Sequence, residues 1–154
     1  MSFVRIYVHA VWAVKHRAAL LDDAWRGDVH DFIARCMSSR GHQPLEINSV
    51  DDHLHAFFQF SAHEDISALM RHIKGSSSRM INENGLTGRD LFRWQGGYGA
   101  FSVSHTVKER VRGYVRRQRQ IHRRRALAFL DEYDDLIARH EPDPEDIHWF
   151  DPLV

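Results

Sequence analysis

The sequence predicts an α+β fold, and three observations carry that prediction. Apolar residues alternate with a period of two in several short segments, whereas longer segments repeat them at helical spacing. The order is strand, helix, strand, strand, helix, strand, and then helices. A length of 154 residues suits one domain with a real core. This split βαβ order predicts a ferredoxin-like or RRM-like antiparallel sheet of about four to five strands, with helices on one face and further helices at the C-terminus.

The first half of the chain predicts three strands and a helix. Residues 3–14 and 43–50 alternate like strands, and residues 22–40 repeat apolar positions like a helix. Asp22 or Asp23 is expected to cap that helix, and Gly41 to end it. A turn at residues 51–52 joins the second strand to a third over residues 50–60, which indicates an antiparallel hairpin.

The second half predicts a further strand between helices. A helix over residues 66–84 begins with Asp65 or Ser67 as its cap, and its polar side, with Lys74 and residues 76–78, is expected to face outward. A glycine-rich loop over residues 94–104 leads into the last strand. Ser104 is expected to cap one helix over 105–125, and another follows over 126–140.

Composition indicates a globular protein in a reducing compartment. Hydrophobic residues make up 43% of the chain and charged residues 27%, as in globular proteins. The chain contains no run of eighteen or more apolar residues, the length that a membrane-spanning helix needs. The N-terminus lacks the layout of a signal peptide. Cys36 is the single cysteine and cannot form an intramolecular disulfide. We therefore expect a cytoplasmic location and no membrane partner.

Charge is divided unevenly along the chain, although the formal net charge is zero. Residues 108–125 contain nine cations and one acid, and residues 131–154 contain nine acids and one cation. Dense arginine favours contacts with phosphate, so this split indicates a polyanion-binding helix beside an acidic tail. The alternative is a solvated arginine-rich face that pairs with the tail.

The third strand contains the pair His53 and His55, whose side chains lie on the same face because a strand alternates its side chains. Two imidazoles at this spacing could bind one metal ion. The alternative is coincidence, because twelve histidines in 154 residues give about one such pair by chance.

A second polar pair, Tyr114 and Gln118, falls on the apolar side of the predicted 105–125 helix, one turn apart. Burying unpaired polar groups costs about 1–3 kcal/mol each, so the pair requires a reason.

Three motifs together resemble the single-tyrosine transposases of the IS200/IS605 type, whose metal site contains a His-hydrophobic-His motif. The resemblance covers about residues 3–130. The motifs, in chain order, are Asp52-His53-Leu54-His55, Trp94-Gln95-x-Gly97-Tyr98-Gly99-Ala100-Phe101-Ser102 and Tyr114-Val115-x-x-Gln118, with Lys74-x-Ser76-Ser77 between the first two.

The resemblance implies an enzyme that cuts and rejoins single-stranded DNA at the hairpin ends of a mobile element. Tyr114 would be the nucleophile, forming a 5′-phosphotyrosine, and His53, His55 and Gln118 would bind a divalent metal. Mg²⁺ is the expected ion, and imidazole ligands also favour Mn²⁺. The family implies a homodimer and a bacterial protein bound to the nucleoid when on DNA. Residues 1–130 would form the catalytic domain and residues 131–154 a family-variable acidic helix and tail.

Lys74, Arg116 and Arg117 are the predicted phosphate contacts, since the two arginines flank Tyr114. Two alternatives stay open. One is an inactive or domesticated protein that binds single-stranded or hairpin nucleic acid on the same sheet, with Phe57 as an exposed aromatic. The other is a metal phosphodiesterase that uses activated water and would tolerate Tyr114→Phe.

Overall fold

Four antiparallel strands form one sheet in the order β2-β3-β1-β4, and the chain order matches the predicted split βαβ arrangement. The computed structural model describes residues 1–17, 21–125, 132, 135 and 136. The elements are β1 (Ile6–Ala13), α1 (Arg26–Ser39), β2 (Gln43–Ser49), β3 (His53–Phe60), α2 (Ile66–Glu83), β4 (Gly99–Val103), α3 (Lys108–Arg116) and α4 (Gln118–Arg125).

The two central strands, β1 and β3, pair along their whole length, from Ile6 opposite Phe60 to Ala13 opposite His53. The predicted hairpin between β2 and β3 is present, and Val50 N donates to His53 O across its turn at 3.1 Å. Both central strands have neighbours on each side, so His53 and His55 lie on one of the two strands that are paired along both edges.

One face of the sheet packs against α1 and α2 and forms the main core. Trp12, Leu54 and Phe58 from the strands are fully buried there. The helices contribute Ile33 and Ile73, which are also fully buried. Burying a large apolar side chain contributes about 1.5–3 kcal/mol, so this face is the main source of stability.

Two details of these helices differ from the sequence prediction. Helix α1 begins at Arg26 rather than at residue 22, and its N-cap residue Trp25 makes no side-chain capping bond. Asp22 instead accepts a hydrogen bond from Ala24 N at 2.8 Å in the preceding turn. On α2, Asp65 caps as predicted, but Ser77 does not face outward: it is fully buried and accepts a hydrogen bond from Trp94 Nε1 at 2.8 Å.

The other face of the sheet is covered by α3. Phe57 and Val115 pack together there and are almost fully buried, with Tyr7 beside them. Phe57 is 1% exposed, so the expectation of an exposed aromatic for nucleic-acid stacking was wrong. Phe57 is buried because the apolar side of α3 packs on this face of the sheet. The sequence did not predict which face of the sheet this helix would cover.

The predicted continuous helix over 105–125 is interrupted. Ser104 accepts a hydrogen bond from Thr106 N, as a cap does, but residues 105–107 form only a 3₁₀ turn before α3 begins at Lys108. Arg117 separates α3 from α4, and Asn48 of β2 donates to the carbonyls of Val115 at 3.1 Å and Arg116 at 2.9 Å. These side-chain bonds satisfy acceptors that a helix end leaves open. The predicted 126–140 helix lies outside the described residues except at 132, 135 and 136, which are helical.

Candidate active site

His53 and His55 lie side by side on the face of β3 that α3 covers, and both are fully buried. Their ring centroids are 5.2 Å apart. The strand holds both imidazoles in one site, as alternation predicts.

Each of the two rings has a hydrogen-bond partner at Nδ1. Asp52 Oδ1 lies 2.7 Å from His53 Nδ1, and His9 Nε2 lies 2.8 Å from His55 Nδ1. Both Nε2 atoms are thereby directed to one place, the carboxyl group of Glu132, at 2.9 Å for His53 and 3.2 Å for His55. A hydrogen bond at Nδ1 that fixes the ring and leaves Nε2 to bind is typical of metal-binding histidines.

Tyr114 on α3 faces this pair from within the same chain. Its ring centroid lies 5.9 Å from that of His55 and 6.1 Å from that of His9. Its hydroxyl donates a short hydrogen bond to Glu132 Oε1. The structure therefore brings together His53, His55 and Tyr114, which are some sixty residues apart in sequence.

Glu132 and His122 are site residues that the sequence did not identify. Glu132 is 2% exposed, and its Oε2 lies 2.7 Å from His122 Nε2 as well as 2.9 Å from His53 Nε2. Its neighbour Leu136 packs against Val11 and Ala13 of β1. The available signal was spacing: Glu132 precedes the apolar Leu136 by one helical turn, so both lie on the side that the predicted helix buries.

The surroundings of Glu132, His53 and His55 shift the pKa values of all three groups. Burial by itself raises the pKa of Glu132, but hydrogen bonds from His122, His53 and His55 outweigh it and hold the pKa far below its ordinary value. Burial likewise lowers the pKa of His53, yet bonds to Asp52 and Glu132 reverse this and raise it. For His55 burial prevails, and its pKa is lowered. The shifts therefore favour an ionised carboxylate at Glu132.

Gln118, the third predicted metal ligand, is fully buried at the start of α4. Its Nε2 donates to Tyr114 O at 3.3 Å, and its Oε1 has no hydrogen-bond partner within the described part of the chain. A buried amide oxygen without a partner costs about 1–3 kcal/mol, and a bound cation would satisfy it. Imidazole nitrogens, a carboxylate and an amide oxygen together fit a divalent cation such as Mg²⁺ or Mn²⁺.

The three predicted phosphate contacts lie in different places. Arg116 is exposed, with its guanidinium 3.1 Å from Glu46 Oε2, and Arg117 is exposed at the break beyond α3. Lys74 lies on α2, on the other face of the sheet, where Nζ donates to Gln95 O at 2.6 Å and Gly97 O at 3.0 Å. Burial lowers the pKa of Lys74 to about 8. The structure therefore places the arginines near Tyr114 and Lys74 away from it.

A ferredoxin-like sheet with a His-x-His pair opposite a helical tyrosine defines the class of small single-tyrosine transposases that the motifs indicated. Residues 2–118 match the family described as transposase IS200 like. The chain belongs to this family. A comparison with curated proteins finds no match.

Two solved structures share the fold. One is a candidate transposase from Deinococcus radiodurans R1, with a TM-score of 0.61 and 18% identity over 76% of this chain and 93% of that one. The other is a REP-associated tyrosine transposase bound to a REP hairpin, with a TM-score of 0.60 and 14% identity over 79% of this chain and 72% of that one. Within the described residues, no helix is long and apolar enough to cross a bilayer.

Proposed function

We propose that this transposase cuts and rejoins single-stranded DNA with Tyr114 as its nucleophile. The observation that supports this most directly is the position of the Tyr114 hydroxyl, which shares the carboxylate of Glu132 with the Nε2 atoms of His53 and His55. A nucleophile beside a candidate metal site is the arrangement that phosphodiester transfer requires.

In the proposed cleavage step, Tyr114 Oη attacks the phosphorus and forms a P–O bond while the bond from phosphorus to the 3′ oxygen breaks. The products are a 5′-phosphotyrosine and a free 3′ hydroxyl, which takes its proton from solvent. Tyrosine has a pKa of about 10, so its proton needs an acceptor. Solvent takes this proton as the P–O bond forms, while Glu132 Oε1, which accepts the hydrogen bond from Tyr114, orients the hydroxyl for attack. Rejoining reverses these steps with another 3′ hydroxyl, and it needs no ATP because the phosphodiester energy is kept.

His53, His55 and Gln118 are the proposed ligands of a divalent metal, Mg²⁺ or Mn²⁺. When bound, the metal supplies Lewis-acid stabilisation of the charge on the phosphate oxygens. Asp52 and His9 keep the two rings in their binding orientation. These residues therefore prepare the site before DNA arrives.

Arg116 and Arg117 are proposed to bind the phosphates next to the scissile bond, because they are exposed immediately after Tyr114. The REP-associated relative was solved with a REP hairpin. We propose hairpin-ended single-stranded DNA as the substrate here too, and a homodimer as the working form. Lys74 has a different proposed role: its two bonds to backbone carbonyls position the glycine-rich loop, and it would touch DNA only through that loop.

Labelled hairpin DNA and Tyr114→Phe test the proposal. With Mn²⁺ and a single-stranded substrate labelled at its 3′ end, the wild-type chain should give a covalent protein–DNA band in a denaturing gel, and a 5′ label should not. Tyr114→Phe should form no such band. Tyr98→Phe is the matched control, since the Tyr98 hydroxyl contacts Ser67 on the other face of the sheet, 3.3 Å away.

Each other outcome identifies a different function. Cleavage by Tyr114→Phe without an adduct would indicate a phosphodiesterase that activates water. Hairpin binding by the wild type with neither cleavage nor adduct would indicate a nucleic-acid-binding protein on a transposase fold. An adduct that persists in Tyr114→Phe would refute the choice of nucleophile.

A further inference from the structure

We propose that Glu132 and His122 are additional ligands of the divalent cation, and that Glu132 binds it through Oε2 while Oε1 holds the hydroxyl of Tyr114. This inference rests on the proposed function, since it concerns the same site. It adds two ligands from beyond the region that the family match covers, which ends at residue 118.

The distances among the donor atoms support a common coordination sphere. Neighbouring ligands of an octahedral ion at about 2.1 Å lie about 3.0 Å from one another. Oε2 of Glu132 lies 2.9 Å from His53 Nε2 and 2.7 Å from His122 Nε2, close to that spacing. His55 Nε2 lies 3.2 Å from the other oxygen, Oε1. His53, His122 and Glu132 each offer a ligand atom within 4.8 Å of the others.

The surroundings of Glu132 also favour a cation. The side chain is 2% exposed, and among the residues that the structure describes no lysine or arginine pairs with it. Within the described residues, its polar contacts are three imidazoles and one phenol. A buried carboxylate is strongly unfavourable unless it is paired, and a divalent ion is the partner that imidazole nitrogens and a carboxylate bind together.

The position of Glu132 is set by apolar packing that does not depend on a metal. Leu136, one turn further on, is 6% exposed and packs against Val11 and Ala13. Leu136 is thus docked on the sheet by its own apolar side chain, and the carboxylate of Glu132 lies at the histidines. Docking and ligation can therefore be separated experimentally.

Manganese affinity, without DNA, tests the assignment. The full chain should bind Mn²⁺ at one site in an EPR titration, and Glu132→Gln should weaken binding at least about tenfold, because the amide keeps the shape and loses the charge. Asp135→Asn, an exposed acid three residues away in the same segment, should change affinity less than about twofold. Glu132→His provides a second check: with Co²⁺ it should retain binding and show a changed absorption spectrum, because the ligand has changed.

The outcomes separate this inference from the proposed function. If His53→Ala and His55→Ala abolish Mn²⁺ binding while Glu132→Gln binds as the wild type does, the cation site stands and Glu132 is not a ligand. Tighter binding by Glu132→Gln would mean that the carboxylate competes with the ion, which also overturns the inference. If the two histidine variants bind Mn²⁺ unchanged, the metal site of the proposed function is itself wrong. A Co²⁺ spectrum of Glu132→His identical to that of the wild type would contradict the assignment even where Glu132→Gln fails to fold.

Discussion

At the scale of single residues, the histidines of this chain have different tasks that their side chains alone do not reveal. His53 and His55 present Nε2 to the site, whereas His9 uses Nε2 to fix His55. His30 is outside the site altogether: its Nε2 lies 2.7 Å from the hydroxyl of Ser49, where α1 packs against β2. Partners, rather than residue type, decide which imidazole can bind a metal.

His30 gives a prediction about acid stability. Burial, with Arg26 nearby, lowers its pKa from 6.5 to about 4. Between pH 6.5 and 4 the unfolded chain therefore binds a proton that the folded chain does not, so the free energy of unfolding falls as the pH falls through this window. Urea denaturation at pH 7 and pH 5 should show that His30→Asn loses about 1–2 kcal/mol less than the wild type over that interval.

The control is Ser38→Ala, at an exposed position of α1 that carries no titratable group. It should follow the wild type at both pH values. If His30→Asn and the wild type lose stability in parallel, the folded protein must protonate His30 as readily as the unfolded one does, and the assigned environment is wrong.

At the scale of elements, α2 and the glycine-rich loop are joined by one buried hydrogen bond. Ser77 is fully buried and accepts from Trp94 Nε1, and the indole packs edge-on against Trp12 and Phe92, with ring centroids 5.8 Å and 4.8 Å away. Lys74, one turn earlier, bonds the loop backbone. The Lys-x-Ser-Ser segment therefore attaches the loop to the helix.

Ser77→Ala should reduce the free energy of unfolding by about 1–3 kcal/mol, because it leaves a buried indole N–H without an acceptor. Urea denaturation monitored by far-UV circular dichroism measures the change. Ser78→Ala is the matched control, because the Ser78 hydroxyl donates to Gly75 O at an exposed position of the same helix. Equal losses in the two variants would show that the indole bond does not account for the effect, since Ala favours a helix more than Ser does.

At the scale of the whole molecule, the site is assembled within one chain, since Tyr114 lies against its own His55 and not at a distance from it. We therefore predict that Tyr114→Phe and His55→Ala chains, unfolded and refolded together so that the proposed dimers are mixed, yield no covalent DNA adduct. The measurement is the denaturing-gel assay with 3′-labelled DNA. An adduct on the His55→Ala chain would mean that the tyrosine acts in the partner's site. Each variant refolded alone is the control.

The sheet and its motifs were predictable because strand alternation and helix spacing are local properties. Strand alternation placed His53 and His55 on one face, whereas only the family resemblance implied that Tyr114 faces them, and the structure places the three residues together. The break at Arg117 was not predictable, because it depends on Asn48, whose bonds to the end of α3 cross the fold. Glu132 was missed for a similar reason: a predicted acidic tail looks solvated until tertiary packing buries one of its carboxylates.

Because Glu132 lies far downstream of His53 in the sequence, the ribosome makes the two residues at different times. A protein emerges from the ribosome N-terminus first, so the strands, the tyrosine helix and the histidines of β3 leave the exit tunnel before Glu132 does. If Glu132 is a ligand, a nascent chain that stops short of Glu132 already carries its nucleophile but has an incomplete cation site. Competence to cut DNA would then come only after the sheet and the tyrosine helix have been made.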